Sequence, residues 1–222
     1  MLRLVIFGRQ GAGKGTQSEA LAEHYGAPHI STGDILREAV ASGTAFGLKA
    51  KEFMDAGQLL PDEVMLGVVA DRLAEADVRE HGFLLDGYPR TVGQAEALVG
   101  LTPIDVALNL EVPEQTVLER LSSRRVCEGC GRNYSVSVRP GHDWECDSCG
   151  GKVVQRDDDK PAAIAQRLAT YRDETVPTIE WFDSKGLLVN VDGLGTPEDV
   201  TERLFAAIDE RLSADPERRT HP

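Results

Sequence analysis

The chain has 222 residues, enough for one substantial hydrophobic core or for one core interrupted by a small insert. Hydrophobic residues at 41% and charged residues at 27% exclude a disordered or fibrous chain. With 37 acidic against 24 basic side chains the formal net charge is −13, which opposes any general affinity for nucleic acid, so a phosphate site has to be a local cluster of cations.

Leu2 to Phe7 is a short apolar run closed by Gly8, and beyond a glycine-rich stretch a helical pattern passes through Ala20, Leu21 and Tyr25. The chain therefore opens as strand, loop and helix. Pro61 with Asp62 and Glu63 marks a later helix start, Gly82-Phe83-Leu84-Leu85 and Val106-Ala107-Leu108-Asn109-Leu110 read as strands, and Pro113-Glu114 opens another helix. Residues 126–156 break this alternation: they are rich in glycine, hold all four cysteines, and include a Tyr134 to Val138 stretch suited to a small hairpin. Pro161 after three aspartates begins the next helix, Gly186 to Val191 is a strand, and Thr196-Pro197-Glu198-Asp199 starts the last helix.

Strands alternating with helices imply a parallel sheet. The expected organisation is an α/β core over 1–125 and 157–212, an inserted minidomain over 126–156, and a polar, flexible tail over 213–222. No apolar run approaches the roughly 18 residues needed to span a bilayer, so the chain reads as cytoplasmic, with no membrane partner.

The loop Gly8-Arg9-Gln10-Gly11-Ala12-Gly13-Lys14-Gly15-Thr16 follows a strand and opens a helix. Glycines at this spacing let backbone N–H groups turn inward around phosphate oxygens, the helix adds its positive end, and Lys14 reaches the outer phosphates. The bland alternative is a glycine turn with a surface lysine. Gly15 stands where a hydroxyl residue usually follows the lysine, with Thr16 one place later, and this Gly-Lys-Gly-Thr variant resembles nucleoside monophosphate kinases.

Cys127-x-x-Cys130 and Cys146-x-x-Cys149, separated by 15 residues, have the spacing of two knuckles that close one tetrahedral metal site. Four thiolates leave no open catalytic position, so the metal read from them is a structural Zn2+. Free thiols or labile disulfides are the alternatives.

Two further segments narrow the family. Ile30-Ser31-Thr32-Gly33-Asp34-Ile35-Leu36-Arg37 and Phe83-Leu84-Leu85-Asp86-Gly87-Tyr88-Pro89-Arg90-Thr91, followed by Gln94, closely resemble adenylate kinase signatures, and their order along residues 2–212 fits as well as their content. The resemblance implies a P-loop NTPase core with a five-stranded parallel sheet flanked by helices, a helical AMP-binding segment over 31–60, and a zinc-bearing β lid. It implies reversible transfer between ATP and AMP giving two ADP, with Mg2+ accompanying ATP, in a monomer with no nucleic-acid partner.

Residue by residue, the resemblance assigns Gly11, Ala12, Gly13, Lys14, Gly15, Thr16, Arg120, Arg124, Asn133, Tyr134 and Gly195 to ATP. It assigns Thr32, Arg37, Gln58, Leu59, Leu60, Gly87, Tyr88, Pro89, Arg90, Gln94, Arg156 and Arg167 to AMP, with Gln94 reading the adenine edge. Lys14, Asp86, Arg90, Arg124, Arg156 and Arg167 form the catalytic set. Asp86 orients magnesium through its water shell, and Asp158 and Asp159 help to hold the lid closed.

Local alternatives stand beside these roles: Thr32 as a helix N-cap, Arg37 on a solvated helix face, Asp86 as a buried acid capping a loop, Tyr134 as packing inside the hairpin. Arg120 and Arg124, four apart, are expected on one face of a helix. Two departures from the family pattern are visible: Gln10 stands where proline is common, and Val138 to Asp143 stands where a Pro-Pro-Lys stretch is usual.

Attacker and leaving group in such a transfer are both phosphates, so cationic clamping and alignment matter more than a general base. Competing readings are a cytidylate or uridylate kinase, disfavoured by Thr32, Gln94 and the long lid; a zinc-ribbon nucleic-acid-binding ATPase, disfavoured by 5% aromatics and the lack of basic patches; and an inactive sensor.

Overall fold

The computed structural model describes residues 1–214. β1 (Leu2–Gly8) is buried without interruption from Leu4 to Gly8, the mark of a strand covered on both faces rather than one. The glycine loop leads to α1 (Lys14–Tyr25), then β2 (His29–Ser31), and α2 (Thr32–Ala41) packs with α3 (Ala45–Asp55) as a helical pair. α4 (Asp62–Leu73) and α5 (Ala76–His81) precede β3 (Gly82–Asp86); α6 (Val92–Leu101), β4 (Val106–Glu111) and α7 (Glu114–Ser123) follow. Pro61 and Pro113 occupy the N-caps of α4 and α7, with acids in the first turn of each, as their sequence signals predict.

The insert is a separate three-stranded antiparallel sheet of β5 (Arg124–Cys127), β6 (Asn133–Ser135) and β7 (Val153–Val154), with β5 in the centre. The chain returns through α8 (Pro161–Thr170), a wide π-helical turn over Tyr171–Thr175, α9 (Val176–Ser184), β8 (Leu188–Asp192) and α10 (Pro197–Ala214). Ser213 and Ala214, expected in the tail, belong to α10; residues 215–222 lie outside the described residues. Within the described residues no helix is long and apolar enough to cross a membrane.

The five long-range strands form one parallel sheet in the order β2-β3-β1-β4-β8. Successive residues of β1 feed opposite layers: Val5 and Phe7 join a cluster with Met65, Leu98 and Phe182, whereas Leu4 and Ile6 join one with Leu21, Leu121 and Leu204. The connection leaving β1 runs to β2 on one side and that leaving β3 crosses back to β4 on the other, which opens a crevice over the carboxyl end of β1.

One local expectation is corrected here and one local alternative removed. α7 ends at Ser123, and Arg124, extended at φ −60° and ψ 139°, opens β5, so Arg120 and Arg124 do not share a helix face. The chain has to turn into the insert at that point, which ends the helix. Ser31 rather than Thr32 is the N-cap of α2, its hydroxyl accepting from the Asp34 N–H.

Candidate functional site

Parallel strands put all their carboxyl ends on one side, and the loops leaving β1, β2 and β3 meet there with α7, the insert and α8 around a cleft of about 600 Å³. The glycine loop forms its floor. Gly11 has φ +82°, and a Cβ there would lie 2.8 Å from Leu121 Cγ; Gly13, at φ +106°, is the N-cap of α1 and has nothing within 4 Å of its Cβ position. No side chain caps α1, so its first N–H groups are available to an anion in the cleft.

Lys14 Nζ curls back over the loop, donating to the Gly8 carbonyl at 2.8 Å and the Arg9 carbonyl at 3.3 Å. Burial pulls its pKa down to about 8; Arg90, Arg167 and Arg124 push the same way, and Asp86 opposes them. Among the described residues the cleft lining holds seven basic side chains, Lys14, Arg37, Arg90, Arg120, Arg124, Arg156 and Arg167, against three acids, Glu19, Asp34 and Asp86. A strongly acidic chain thus concentrates positive charge where its sheet opens.

Asp86 ends β3 beneath these cations. Burial by itself would raise its pKa, but the neighbouring His29 imidazole, Lys14 and Arg90 outweigh that effect and keep it low, so the carboxylate stays ionised. His29 Nε2 lies 3.8 Å from Asp86 Oδ2, beyond hydrogen-bond length, and has no hydrogen-bond partner among the described residues. His29 was not singled out from the sequence: three residues of β2 carry too little periodicity to register as a strand.

A second, smaller lobe of about 80 Å³ adjoins the first. Thr32, Gln58, Leu59, Leu60, Tyr88, Gln94 and Asp158 line it, and it shares Arg37, Gly87, Arg90, Arg156 and Arg167 with the larger lobe. Thr32 Oγ1 donates to the Gly87 carbonyl at 3.0 Å, fixing α2 against the turn after β3. Arg90 Nε donates to the same carbonyl at 2.6 Å, which aims the guanidinium across the cleft. Arg37 pairs with Asp34 three residues earlier.

Gln94 is 3% exposed; its Oε1 accepts from Arg90 N at 2.8 Å and its Nε2 donates to Asp62 Oδ1 at 2.7 Å. One N–H and one lone pair of its carboxamide remain for another partner. The Tyr88 ring is 1% exposed and belongs to the core, so any ligand contact by this residue falls to its backbone.

The insert is tied to the core by a buried ion network. Arg124 makes a two-point contact with Asp159 at 2.7 and 2.6 Å, and Arg156 does the same with Asp158 at 2.8 and 2.5 Å. Arg167 Nη1 reaches Asp158 at 3.1 Å and Asp159 at 3.3 Å. Burial would raise the Asp158 pKa, but Arg167 and Arg156 outweigh it and hold it at about 2; burial lowers that of Arg167 to about 10, leaving both groups ionised near neutrality.

Three residues assigned from the sequence do not line either lobe. Ala12 is 3% exposed and offers only its carbonyl, which accepts from Arg120 Nη1 at 3.1 Å; Asp159 stands behind Arg124; Gly195 lies in the loop after β8. Asn133 and Tyr134 do line the larger lobe, yet Tyr134 is 8% exposed and points its hydroxyl into the insert.

There, the four cysteine sulfurs lie within 4.8 Å of one another, with Cys127 and Cys149 3.4 Å apart and Cys130 and Cys146 3.5 Å apart. Four thiols so grouped could hold one metal ion. The Gly129 N–H donates to Cys127 Sγ at 3.3 Å, as expected of a metal knuckle, and the Tyr134 hydroxyl reaches Cys146 Sγ at 3.4 Å. That hydroxyl draws the Cys146 pKa down, whereas the neighbouring sulfurs push that of Cys149 up, so the close-packed thiols share their protons.

Comparison with known proteins agrees with this geometry. The sequence model of a family described as adenylate kinase matches residues 6–187. The chain is 47% identical over 216 residues to an adenylate kinase of Thermodesulfovibrio yellowstonii, covering 95% of this chain and 100% of that one. It is 50% identical over 213 residues to an adenylate kinase of Methanosarcina mazei, covering 93% and 98%. To the adenylate kinase of Archaeoglobus fulgidus it is 46% identical over 214 residues, covering 94% and 98%.

Proposed function

The chain belongs to the adenylate kinase family, and from that premise we propose that the larger lobe takes ATP, the smaller one takes AMP, and a phosphoryl group passes between them. It is a nucleoside monophosphate kinase, acting by ATP + AMP ⇌ 2 ADP. The observation that carries the assignment of lobes is the set of four arginines common to both, Arg37, Arg90, Arg156 and Arg167. Such cations belong where two polyphosphate chains meet end to end.

In this reading the loop N–H groups and Lys14 hold the outer phosphates of ATP, with Arg120 and Arg124 above them. Arg37 and Arg90 grip the AMP phosphate, and the remaining N–H and lone pair of Gln94 read the adenine edge while Asp62 fixes its orientation. An AMP phosphate oxygen attacks the terminal phosphorus in line, and the bond to the bridging oxygen breaks with its electron pair left on ADP. The arginines neutralise repulsion between attacker and leaving group, so no side chain has to remove a proton and no covalent enzyme intermediate forms.

Magnesium bound with ATP would neutralise the outer phosphates, and the ionised, buried Asp86 is suited to orient its water shell. Zinc is the metal we assign to the cysteine cluster, because four sulfurs in a closed tetrahedral set suit it and leave no open position. Its place is structural: it holds the insert as a lid that Asp158 and Asp159 help to close through Arg156, Arg124 and Arg167. We place the enzyme in the cytoplasm as a monomer without nucleic-acid partners, consistent with its acidic surface. A coupled assay offering AMP, CMP, UMP and GMP to the enzyme with ATP tests the assignment: AMP should be favoured by at least about 100-fold in kcat/KM, as expected for a site that hydrogen-bonds the base edge. Comparable rates with a pyrimidine nucleotide would overturn it.

A further inference from the structure

Among the described residues, beyond the four shared arginines and two glycines, Gly33 and Gly87, a single residue borders both lobes: Gln10, at the tip of the glycine loop. Its Oε1 is buried and has no hydrogen-bond partner among the described residues. A buried carbonyl left unpaired is unfavourable, and one that borders a ligand cleft is placed to gain a partner when the cleft fills. The backbone beside it is already committed, since the Arg9 carbonyl accepts from both Ala12 N at 3.0 Å and Lys14 Nζ at 3.3 Å. Within the Gln10 side chain, the carboxamide oxygen is left without a partner among the described residues.

We propose that Gln10 is a catalytic residue whose carboxamide donates a hydrogen bond to the phosphoryl group in transit between the two nucleotides. The proposal rests on the adenylate kinase reading above. A carboxamide can present either its NH2 or its oxygen by a half-turn of its last torsion. With NH2 toward the travelling oxyanion, its oxygen is left to accept from one of the neighbouring guanidiniums. A neutral donor suits this position. The surrounding arginines already repel one another, as the depressed pKa of Arg37, set first by burial and then by Arg156, records, and a fifth cation would add to that repulsion. Gln10 keeps its protons throughout, and the bond changes are those of the in-line transfer alone.

A junction residue matters only when both lobes are filled with connected phosphates. Calorimetry with ATP alone, AMP alone and diadenosine pentaphosphate, which spans both lobes, therefore isolates its contribution. Gln10→Met keeps the length of the side chain and removes the amide; Gln10→Glu keeps its shape and adds a negative charge. For Gln10→Met we expect single-nucleotide affinities within about twofold of wild type, and roughly tenfold losses in dinucleotide affinity and in kcat, the scale of one hydrogen bond to a charged group. Gln10→Glu should lose more in both. Unchanged dinucleotide affinity in both variants would overturn the proposal, as would an equal loss for ATP alone, which would mark Gln10 as part of the loop's packing. A wild-type enzyme that binds ATP but neither AMP nor the dinucleotide would overturn the adenylate kinase reading instead.

Discussion

The sheet core and the lid are stabilised by different means. Among the described residues the core buries two apolar layers, with Val5, Leu85 and Phe182 on one face of the sheet and Leu4, Leu108 and Leu204 on the other. The apolar cluster of the lid holds only Cys127, Tyr134, Cys146 and Val153, with Trp144 partly covered against them, and Pro140 is buried apart from it. At about 25 cal/mol per Å² of apolar surface, a handful of side chains does not offset the ordering of some thirty residues, whereas a sulfur-ligated metal contributes on the order of 10 kcal/mol. If zinc fills the cysteine cluster as proposed, the core is held by the hydrophobic effect and the lid by coordination chemistry, so the two should fail separately.

The largest separation should come from the core's own cation. Lys14→Met removes charge from the cleft and leaves both apolar layers intact, so kcat should fall by about 1000-fold or more while the melting temperature and the metal content stay near wild type. Turnover within tenfold of wild type would disprove the role of the loop.

Next in size is loss of the metal. Cys146→Ser, or a strong chelator, should abolish zinc binding of about one ion per chain and release the lid backbone to rapid hydrogen exchange, with the strands of the parallel sheet still protected. Activity should drop in part, and further on warming, since closure over the phosphates becomes less reliable. Simultaneous melting of sheet and lid would break the comparison, and reduced, active protein without metal would remove its basis.

A smaller effect sharpens it. Tyr134→Phe deletes one hydroxyl, which accepts from Asp147 N at 2.9 Å and reaches Cys146 Sγ; among the described residues its hydrogen bonds all lie within the lid. Zinc should then leave to a chelator roughly tenfold faster, the scale seen when a partner of a metal ligand is lost, with ATP affinity unchanged. An unaltered release rate would show that the hydroxyl serves packing alone.

The same contrast explains what could be read from the sequence. Buried parallel strands announce themselves as apolar runs, and prolines with acids marked the starts of α4, α7, α8 and α10 correctly. The cysteine spacing likewise anticipated a cluster that the fold brings together. What escaped was set by tertiary contact. β2 has three residues and exists because β3 offers it a ladder from His29 to Ser31. Arg124 leaves its helix because the chain must enter the lid, and the occupation of Gln94 by Asp62 depends on a packing of α4 against α6 that no local pattern encodes. The lobes themselves were legible only through resemblance, since the residues lining them are spread from Ile6 to Thr175.

The register of the lid sheet has one more consequence. Val126 on the entering strand faces Val154 on the leaving strand as direct antiparallel partners, and such Cα atoms sit about 5 Å apart. Twenty-seven intervening residues therefore leave the parent fold and rejoin it through neighbouring doors. A cassette inserted in this way can be lengthened, exchanged for one held by a different chemistry, or deleted and replaced by a two-residue turn, without moving any strand of the parallel sheet.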